Sequence, residues 1–529
     1  MAAKRRRIRK KKTLFDAPIF ASSAPFRGPI PWFALARFYP KKTRLIPPRL
    51  FLPPFTPMKI SAYLAALAGT LALTLSVAPL PARAAAEPAF LSWAEKPPMG
   101  WNSWDCFATT VTEAQAKAHA DIMADKLLRH GWNTLTVDIQ WYEPGAQSAS
   151  YRGNDYLTER ERGRYRGIAV LAMDEWGRLL PASNRFPSAV DGAGFKPLAD
   201  YVHAKGLKFG IHLMRGIPRQ AVAANTPIKG TEHRAAEIAD KVNICPWNPD
   251  MYGVDMSKPG AQEYYDSVFA LIASWGVDFV KVDDLSRPYL SNEPEVEAIR
   301  RAIDRTGRPI VLSLSPGETD LAGAEHVVRH ANLWRISDDF WDRWPLLVEQ
   351  FERLRKWSPY AGPGHWPDAD MLPLGTLEQG RRLTRFTRDE QITMLTLWSI
   401  ARSPLILGAD LTKLDDATFA LLTNDEVIAV DQTSTNGRQL FRRDGFIAWT
   451  ADIPGSGDKY LAVFNTGNRP EGSAALTAAI PVKLSEFGVT AKVRVRDLWL
   501  KRDLATDVSG EFSPEIPWHG AGLYRLSLP

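Results

Sequence analysis

Between Leu91 and about Leu411, short apolar runs alternate with stretches whose apolar positions recur every three or four residues. The runs read as strands at Pro98–Trp104, Asn133–Gln140, Leu207–Met214, Asp278–Asp284, Pro309–Ser315, Leu333–Ser337, a weaker one at Trp366–Leu372, and Pro404–Leu407. Apolar, β-branched runs of this kind suit parallel strands covered on both faces. The stretches between them read as helices. Thr112 and Gln115 have the spacing of a capping box, Ala116, Ala120, Met123 and Leu127 share one face, and Gly131 stands where the helix would end. Phe195–Lys205 before Gly206 and Ala261–Trp275 before Gly276 repeat the pattern. Strand–helix units repeated in this way predict a (β/α)8 TIM barrel. A doubly wound open sheet is the alternative, but no glycine-rich phosphate loop follows any of the runs.

Within Ile168–Pro181 a turn at Glu175-Trp176-Gly177 predicts a β-hairpin inserted on the loop side. After about Asp425 the pattern changes to strand runs without helices: Arg438–Phe441, Phe446–Asp452, Lys459–Asn465, Val493–Asp497 and Gly522–Leu528. Turns such as Pro454-Gly455-Ser456-Gly457 separate them, and the whole predicts a C-terminal antiparallel β-sandwich. At the other end, Met58-Lys59-Ile60 precedes an Ala/Leu-rich run from Ser61 to Ala78, then Pro79, Pro81 and Ala82-Arg83-Ala84-Ala85-Ala86. A charged start, an apolar middle and a small-residue end describe a secretory signal peptide cleaved after Ala84 or Ala86. The run is nearly long enough to span a bilayer, but the prolines and the small-residue site favour cleavage. The expected organisation is a disordered, non-native extension at 1–57, a signal peptide at 58–86, a catalytic barrel at 90–425 and a sandwich at 426–529. A secreted or periplasmic location follows, with no stable membrane insertion after cleavage.

Charge changes this picture once. The 529 residues carry a net +7, but residues 1–57 hold 14 Lys and Arg against one acid, Asp16. From Ala85 onward the chain is acidic, at −8. The basic cluster Lys4 to Lys12 lies ahead of an export signal, which argues against a nucleic-acid partner. An apolar content of 45% excludes a disordered chain, and two cysteines exclude a disulfide scaffold or a Cys-rich zinc module. In an oxidising compartment Cys106 and Cys245 are either paired or free. The 18 tryptophans suit stacking on sugar rings, as well as filling cores. No feature of the chain assigns an oligomeric state.

Barrel chemistry sits where the strands end. Asp138 ends the second run, Lys281, Asp283 and Asp284 the fourth, Arg335, Asp338 and Asp339 the sixth, and Asp368 and Asp370 lie by the seventh. Acids interleaved with tryptophans in one mouth suit glycoside hydrolysis, in which one carboxylate attacks the anomeric carbon and another protonates the leaving oxygen. Lys281, two residues before Asp283, would keep that carboxylate ionised, as a nucleophile requires. Each residue also has a plainer role, as a helix cap or a structural ion pair. Asp284 and Asp338, each beside a candidate, point to the opposite side of an extended chain. A metal could draw on these acids with His212 or His365, but neither histidine has a second one at ligand spacing. No GxSxG is present for a serine hydrolase.

Met99-Gly100-Trp101-Asn102-Ser103-Trp104 after Pro97-Pro98 resembles the opening strand of glycoside hydrolase family 27, the α-galactosidase and α-N-acetylgalactosaminidase group. Val277–Asp283, Trp334–Asp339, Pro367–Leu372 and Leu397–Leu405 match further family motifs in order, and Gly520–Leu526 is similar to the last strand of the family's β domain. The resemblance implies a retaining hydrolase of terminal α-D-galactosyl residues, with Asp283 as nucleophile and Asp339 as acid/base. It implies that Lys281 and Arg335 bind sugar hydroxyls, that Asp138 serves the O4/O6 side and Trp104 the ring's apolar face. His212, Ser315 and Asp370 complete the substrate-binding candidates. A carbohydrate is the implied partner, and no cofactor or metal is implied.

Three positions depart from the family pattern. Ile139 follows Asp138 where a second acid is usual, Ser315 replaces a glutamate near the sugar's C2, and Asp284-Leu285-Ser286 lacks the cysteine that often follows the nucleophile. The alternatives are therefore the same chemistry on β-L-arabinopyranosides, which lack the C6 hydroxymethyl, or on α-N-acetylgalactosaminides. A non-catalytic carbohydrate-binding protein on the same fold is a further alternative, against which the presence of both Asp283 and Asp339 argues.

Overall fold

The computed structural model describes residues 88–147 and 170–528. The expected extension at 1–57 and signal at 58–86 lie outside the described residues, as does the start of the expected hairpin at Ile168. Eight parallel strands form one sheet: β1 (Met99–Asn102), β2 (Thr134–Val137), β3 (Lys208–Met214), β4 (Phe279–Asp283), β5 (Val311–Leu314), β6 (Leu333–Arg335), β7 (Trp366–Asp368) and β8 (Leu405–Leu407). They are ordered β7-β6-β5-β4-β3-β2-β1-β8. The two ends of that order meet just past β7. Leu372 pairs in parallel with Leu407, and its N–H donates to the Ile406 carbonyl at 2.7 Å, closing the TIM barrel. Each strand falls inside the run that predicted it. Gly100 in β1 is required by the closeness of β2: a Cβ there would lie 2.2 Å from the Thr134 carbonyl oxygen.

Helices cover the outside. The one at Glu113–Ile122 carries the complete Thr112/Gln115 capping box and continues through tighter and looser turns to Gly131, whose φ of 97° ends it. Lys196–His203 and Ala261–Ser274 form the other two expected helices. A 3-10 turn at Ala89–Ala94 plugs the bottom of the barrel. Ala94 packs with Phe279, Val311, Leu333 and Trp366, the first residues of four successive strands, and Trp366 Nε1 donates to the Ala94 carbonyl at 2.8 Å. That end is sealed, so the open mouth is at the opposite, C-terminal ends of the strands.

The hairpin near Trp176 is reduced to a single antiparallel pair, Met173 with Leu179, around a turn that Asp174 fastens by accepting from the N–H groups of Trp176 and Arg178. Between β3 and β4, three short strands (Ile217–Pro218, Ala239–Asp240, Met251–Val254) form a small sheet beside the mouth.

Asp425–Thr433 is a helix, and the strand region begins at Thr435, interrupted by a 3-10 turn at Leu484–Phe487. There Thr435–Arg443, Phe446–Asp452, Lys459–Asn465, Ala521–Ser527, Val493–Asp497 and Arg502–Val508 pair in that order as a six-stranded antiparallel sheet. Two short ribbons, Thr477–Ala479 with Glu515–Pro517 and Val482–Lys483 with Glu511–Phe512, supply the second layer of the sandwich. Period-two alternation divides the sheet's side chains between two cores. Ala448, Leu461, Val463 and Tyr524 face the ribbons. Ile447, Trp449, Ala462, Phe464 and Leu523 join the barrel's own core. The helix Arg388–Ala401, begun by a Thr387/Glu390 capping box, forms the barrel side of that seam. Thr396 Oγ1 accepts from Trp499 Nε1 at 2.9 Å, and Thr393 Oγ1 donates to the His519 carbonyl at 2.7 Å. Both cysteines are buried and free. No helix among the described residues is long and apolar enough to cross a membrane.

Candidate active site

Alternation along β4 sends Lys281 and Asp283 to the same, inner face, while Val280 and Val282 pack outward. Lys281 lies between two acids. Its Nζ donates to Asp138 Oδ2 at 3.0 Å and stands 3.7 Å from Asp283 Oδ1. Asp138, one residue past β2, is fixed from three further sides. Asn102 Nδ2 donates to its Oδ2 at 2.7 Å, the Ile139 N–H to its Oδ1, and its own N–H donates to Ser103 Oγ. The opening motif thus supports the site from below, and Asn102 Oδ1 also accepts from the Trp104 N–H at 2.8 Å.

His212, on β3, is completely enclosed. Its Nε2 lies 2.9 Å from Asp283 Oδ2. Its Nδ1 has no hydrogen-bond partner among the described residues, and Nε2 is the nitrogen that donates, to the carboxylate. Burial alone would raise the pKa of Asp283. The Lys281 ammonium and His212 outweigh it and hold the carboxyl far below its usual range. The group is ionised at any physiological pH.

Across the mouth, Arg335 at the end of β6 is buried and tied to three residues. It reaches Asp370 Oδ2 at 2.7 Å, Asp339 Oδ1 at 3.3 Å and Ser315 Oγ at 3.3 Å. Asp370, held at a φ of 83°, also accepts the Phe340 N–H at 2.6 Å. Burial, with the charges of Asp339 and Asp368, pushes Asp370 up to about 7 against the pull of Arg335. Asp339 itself keeps about half of its side chain exposed, at 52%, so it has access to water.

These groups surround a cavity of about 390 Å³, lined by Trp104, Asp138, Ile139, Lys281, Asp283 and Asp339 among others. The volume is that of a small-ligand site. His212, Ser315, Arg335 and Asp370 stand behind this lining. Four further lining residues were not named by the strand-end reasoning: Pro246, Trp247, Arg287 and Pro316. Asp284 and Asp338 do not turn away as an extended chain would require. Both line the cavity, because the strands have already ended: Asp284 has a φ of 67°, and Asp338 lies three residues past β6 in an exposed pair with Arg287. Arg215, the first residue past β3, was also missed, although strand-end placement points to it. It binds Asp284 through Nη2 at 2.6 Å and through the main-chain carbonyl, Glu295 at 2.8 Å and Asn243 at 2.9 Å. This buried cluster anchors the loop after Asp283, where the family's cysteine is missing. Asp138, His212 and Asp283 are close enough together to hold a cation. The Lys281 ammonium already supplies that charge to both acids.

Residues 250–433 match the family model described as "Alpha galactosidase A", and residues 443–526 that of the "Alpha galactosidase C-terminal beta sandwich domain". An α-galactosidase of Coffea arabica is 30% identical over 437 residues, spanning 82% of this chain and 93% of that one. A solved GH27 β-L-arabinopyranosidase from Geobacillus stearothermophilus is 50% identical, with a TM-score of 0.77 over 83% of this chain and 98% of that one. The chain belongs to glycoside hydrolase family 27. A second solved family neighbour, a putative α-N-acetylgalactosaminidase from Bacillus halodurans C-125, is 44% identical, with a TM-score of 0.71 over 82% of this chain and 97% of that one. The protein is thus a glycoside hydrolase built as a TIM barrel with a C-terminal β-sandwich.

Proposed function

We propose that this family 27 enzyme removes terminal pyranosyl residues of galactose-like ring configuration by double displacement, acting on α-D-galactosides and β-L-arabinopyranosides. The observation that carries the reading is Lys281 held between Asp138 and Asp283 at the floor of the cavity. It leaves Asp283 an ionised nucleophile beside a hydroxyl-binding carboxylate. In the first step an Asp283 oxygen forms a bond to the anomeric carbon as the glycosidic C–O bond breaks, and Asp339 gives its proton to the leaving oxygen. In the second, Asp339 takes a proton from water, the water oxygen bonds to the anomeric carbon, and Asp283 leaves as the carboxylate. Water-accessible Asp339 suits a group that must be reprotonated each cycle.

Ile139 favours β-L-arabinopyranosides among these sugars. This apolar side chain lines the cavity next to Asp138, where a second acid would meet the C6 hydroxyl of galactose. A β-L-arabinopyranoside has the same ring hydroxyls and no C6, so it leaves nothing polar against Ile139. An unpaired C6 hydroxyl there would cost binding. The space near C2 offers less to an acetamido group, because Ser315 is buried and hydrogen-bonded to Arg335.

The test is a side-by-side assay of nitrophenyl α-D-galactoside, β-L-arabinopyranoside and α-N-acetylgalactosaminide, with proton NMR of the first-formed sugar. Highest kcat/KM on the arabinopyranoside and an initial product of retained configuration are expected. A product of inverted configuration would remove the double displacement, and a preference for the N-acetyl sugar would remove the specificity argument. Export through residues 58–86 belongs to the same proposal, supported by their charged, apolar and small-residue order. N-terminal sequencing of protein recovered outside the cytoplasm should begin at Ala85 or Glu87.

A further inference from the structure

On the outer wall of the barrel, away from the mouth, two histidines and a glutamate converge. His326 lies on the helix Ala324–Val328 that follows β5, and His330 lies one turn later. Glu297 faces them from the neighbouring helix Tyr289–Arg305, which follows β4. His326 and His330 are the only two of the nine histidines spaced i, i+4. Their rings stack with centroids 4.1 Å apart. All three residues are half-buried, and one potential ligand atom of each lies within 4.8 Å of the others.

The outer hydrogen bonds select which atoms face inward. His330 Nδ1 donates to the His326 carbonyl at 2.7 Å, and His326 Nδ1 pairs with the Tyr289 hydroxyl at 2.8 Å. Each ring therefore has its Nδ1 engaged, which leaves Nε2 as its candidate ligand atom. This is the arrangement that orients metal-binding imidazoles. His326 Nε2 is 3.3 Å from Glu297 Oε1, while Arg301 holds the other carboxylate oxygen at 3.0 Å. Two ligands on a tetrahedral zinc ion, each about 2.0–2.1 Å from it, stand about 3.4 Å apart.

We propose that Glu297, His326 and His330 bind a divalent transition-metal ion, with zinc the fitting case, clipping together the two helices after β4 and β5. Two imidazoles and one carboxylate leave a fourth position for water. The site is remote from Asp283 and Asp339 and has a structural role: metal bound only in the folded state stabilises it.

The test uses the full chain, stripped with a chelator and titrated with Zn2+ by calorimetry, with thermal unfolding at each concentration and Co2+ as a spectroscopic probe. One ion per chain, a rise in Tm and the strong visible bands of four-coordinate Co2+ are expected. The His326→Ala/His330→Ala double variant and Glu297→Gln should each bind at least tenfold more weakly and lose the rise in Tm. Their glycosidase activity should equal that of the parent, which confirms folding. Failure of the parent to bind Zn2+, or undiminished binding in either variant, overturns the proposal.

Discussion

The Nε2 of His212 lies 2.9 Å from Oδ2 of Asp283, on an imidazole with no surface open to solvent. The histidine therefore positions the proposed nucleophile and touches no substrate. Together with Lys281 it keeps Asp283 ionised inside the barrel. Lys281→Met removes the largest favourable charge and allows burial to raise the Asp283 pKa. The acidic limb of kcat/KM should move to higher pH, and kcat should fall by about a hundredfold or more. A pH–rate profile of the variant checks both.

Asp283→Ala and Asp339→Ala should each abolish most turnover while the fold survives. For Asp283→Ala activity should fall below detection on every glycoside. For Asp339→Ala the loss should be roughly 10²–10⁴-fold on glycosides with poor leaving groups. It should be much smaller on nitrophenyl glycosides, whose leaving oxygen needs little protonation. Steady-state kinetics on both substrate types, with circular dichroism of each variant, separates these outcomes. Full activity in Asp283→Ala would remove the mechanism.

Ile139→Asp restores an acid beside Asp138. The ratio of kcat/KM for α-D-galactoside over β-L-arabinopyranoside should rise about tenfold, the effect of one net hydrogen bond to the C6 hydroxyl. An unchanged ratio would show that Ile139 does not read that position.

Arg215 sits among Asp284, Glu295 and Asn243 with almost no exposure. Arg215→Ala strands two buried carboxylates. The cost should be about 3–5 kcal/mol, read as a lower denaturant midpoint, and activity should drop as the loop after Asp283 loosens.

Asp105 lies buried behind Trp104, and its Oδ2 has no hydrogen-bond partner among the described residues. Burial, then the charges of Asp370 and Asp339, hold its pKa well above the usual value near 3.8. The unfolded chain releases this proton first, so Asp105 weakens the fold progressively as pH rises above about 4. Asp105→Asn should raise Tm by a few degrees at pH 7 and leave it unchanged near pH 3.5. Thermal scans at the two pH values test the sign.

The barrel was legible because buried parallel strands leave continuous apolar runs, and all eight fell where those runs lay. The strand-end acids followed from the same geometry, which gathered Asp138, Asp283 and Asp339 around one cavity. Legibility failed where periodicity did. Trp247 reaches the mouth from an irregular segment between short strands, and no pattern in its neighbours marks it. Asp284 and Asp338 were read with the alternation of an extended chain that had already ended. Arg502–Val508 is almost wholly solvent-facing and lacks the apolar alternation that signals a strand. The pair His326 and His330 lies outside the strand ends, where the candidate metal ligands His212 and His365 were sought; of those two, His365 stands just before β7, at the sealed end of the barrel.

The C-terminal sheet gives one of its two faces to the barrel's own interior, with Trp449 and Phe464 fully enclosed there. Cutting the chain after Thr433 would strip the helix Arg388–Ala401 of its cover and leave a broad greasy scar along it. Anyone seeking a minimal catalyst from this scaffold must therefore repaint that scar with polar side chains, or carry the last hundred residues along as an inseparable half of the molecule.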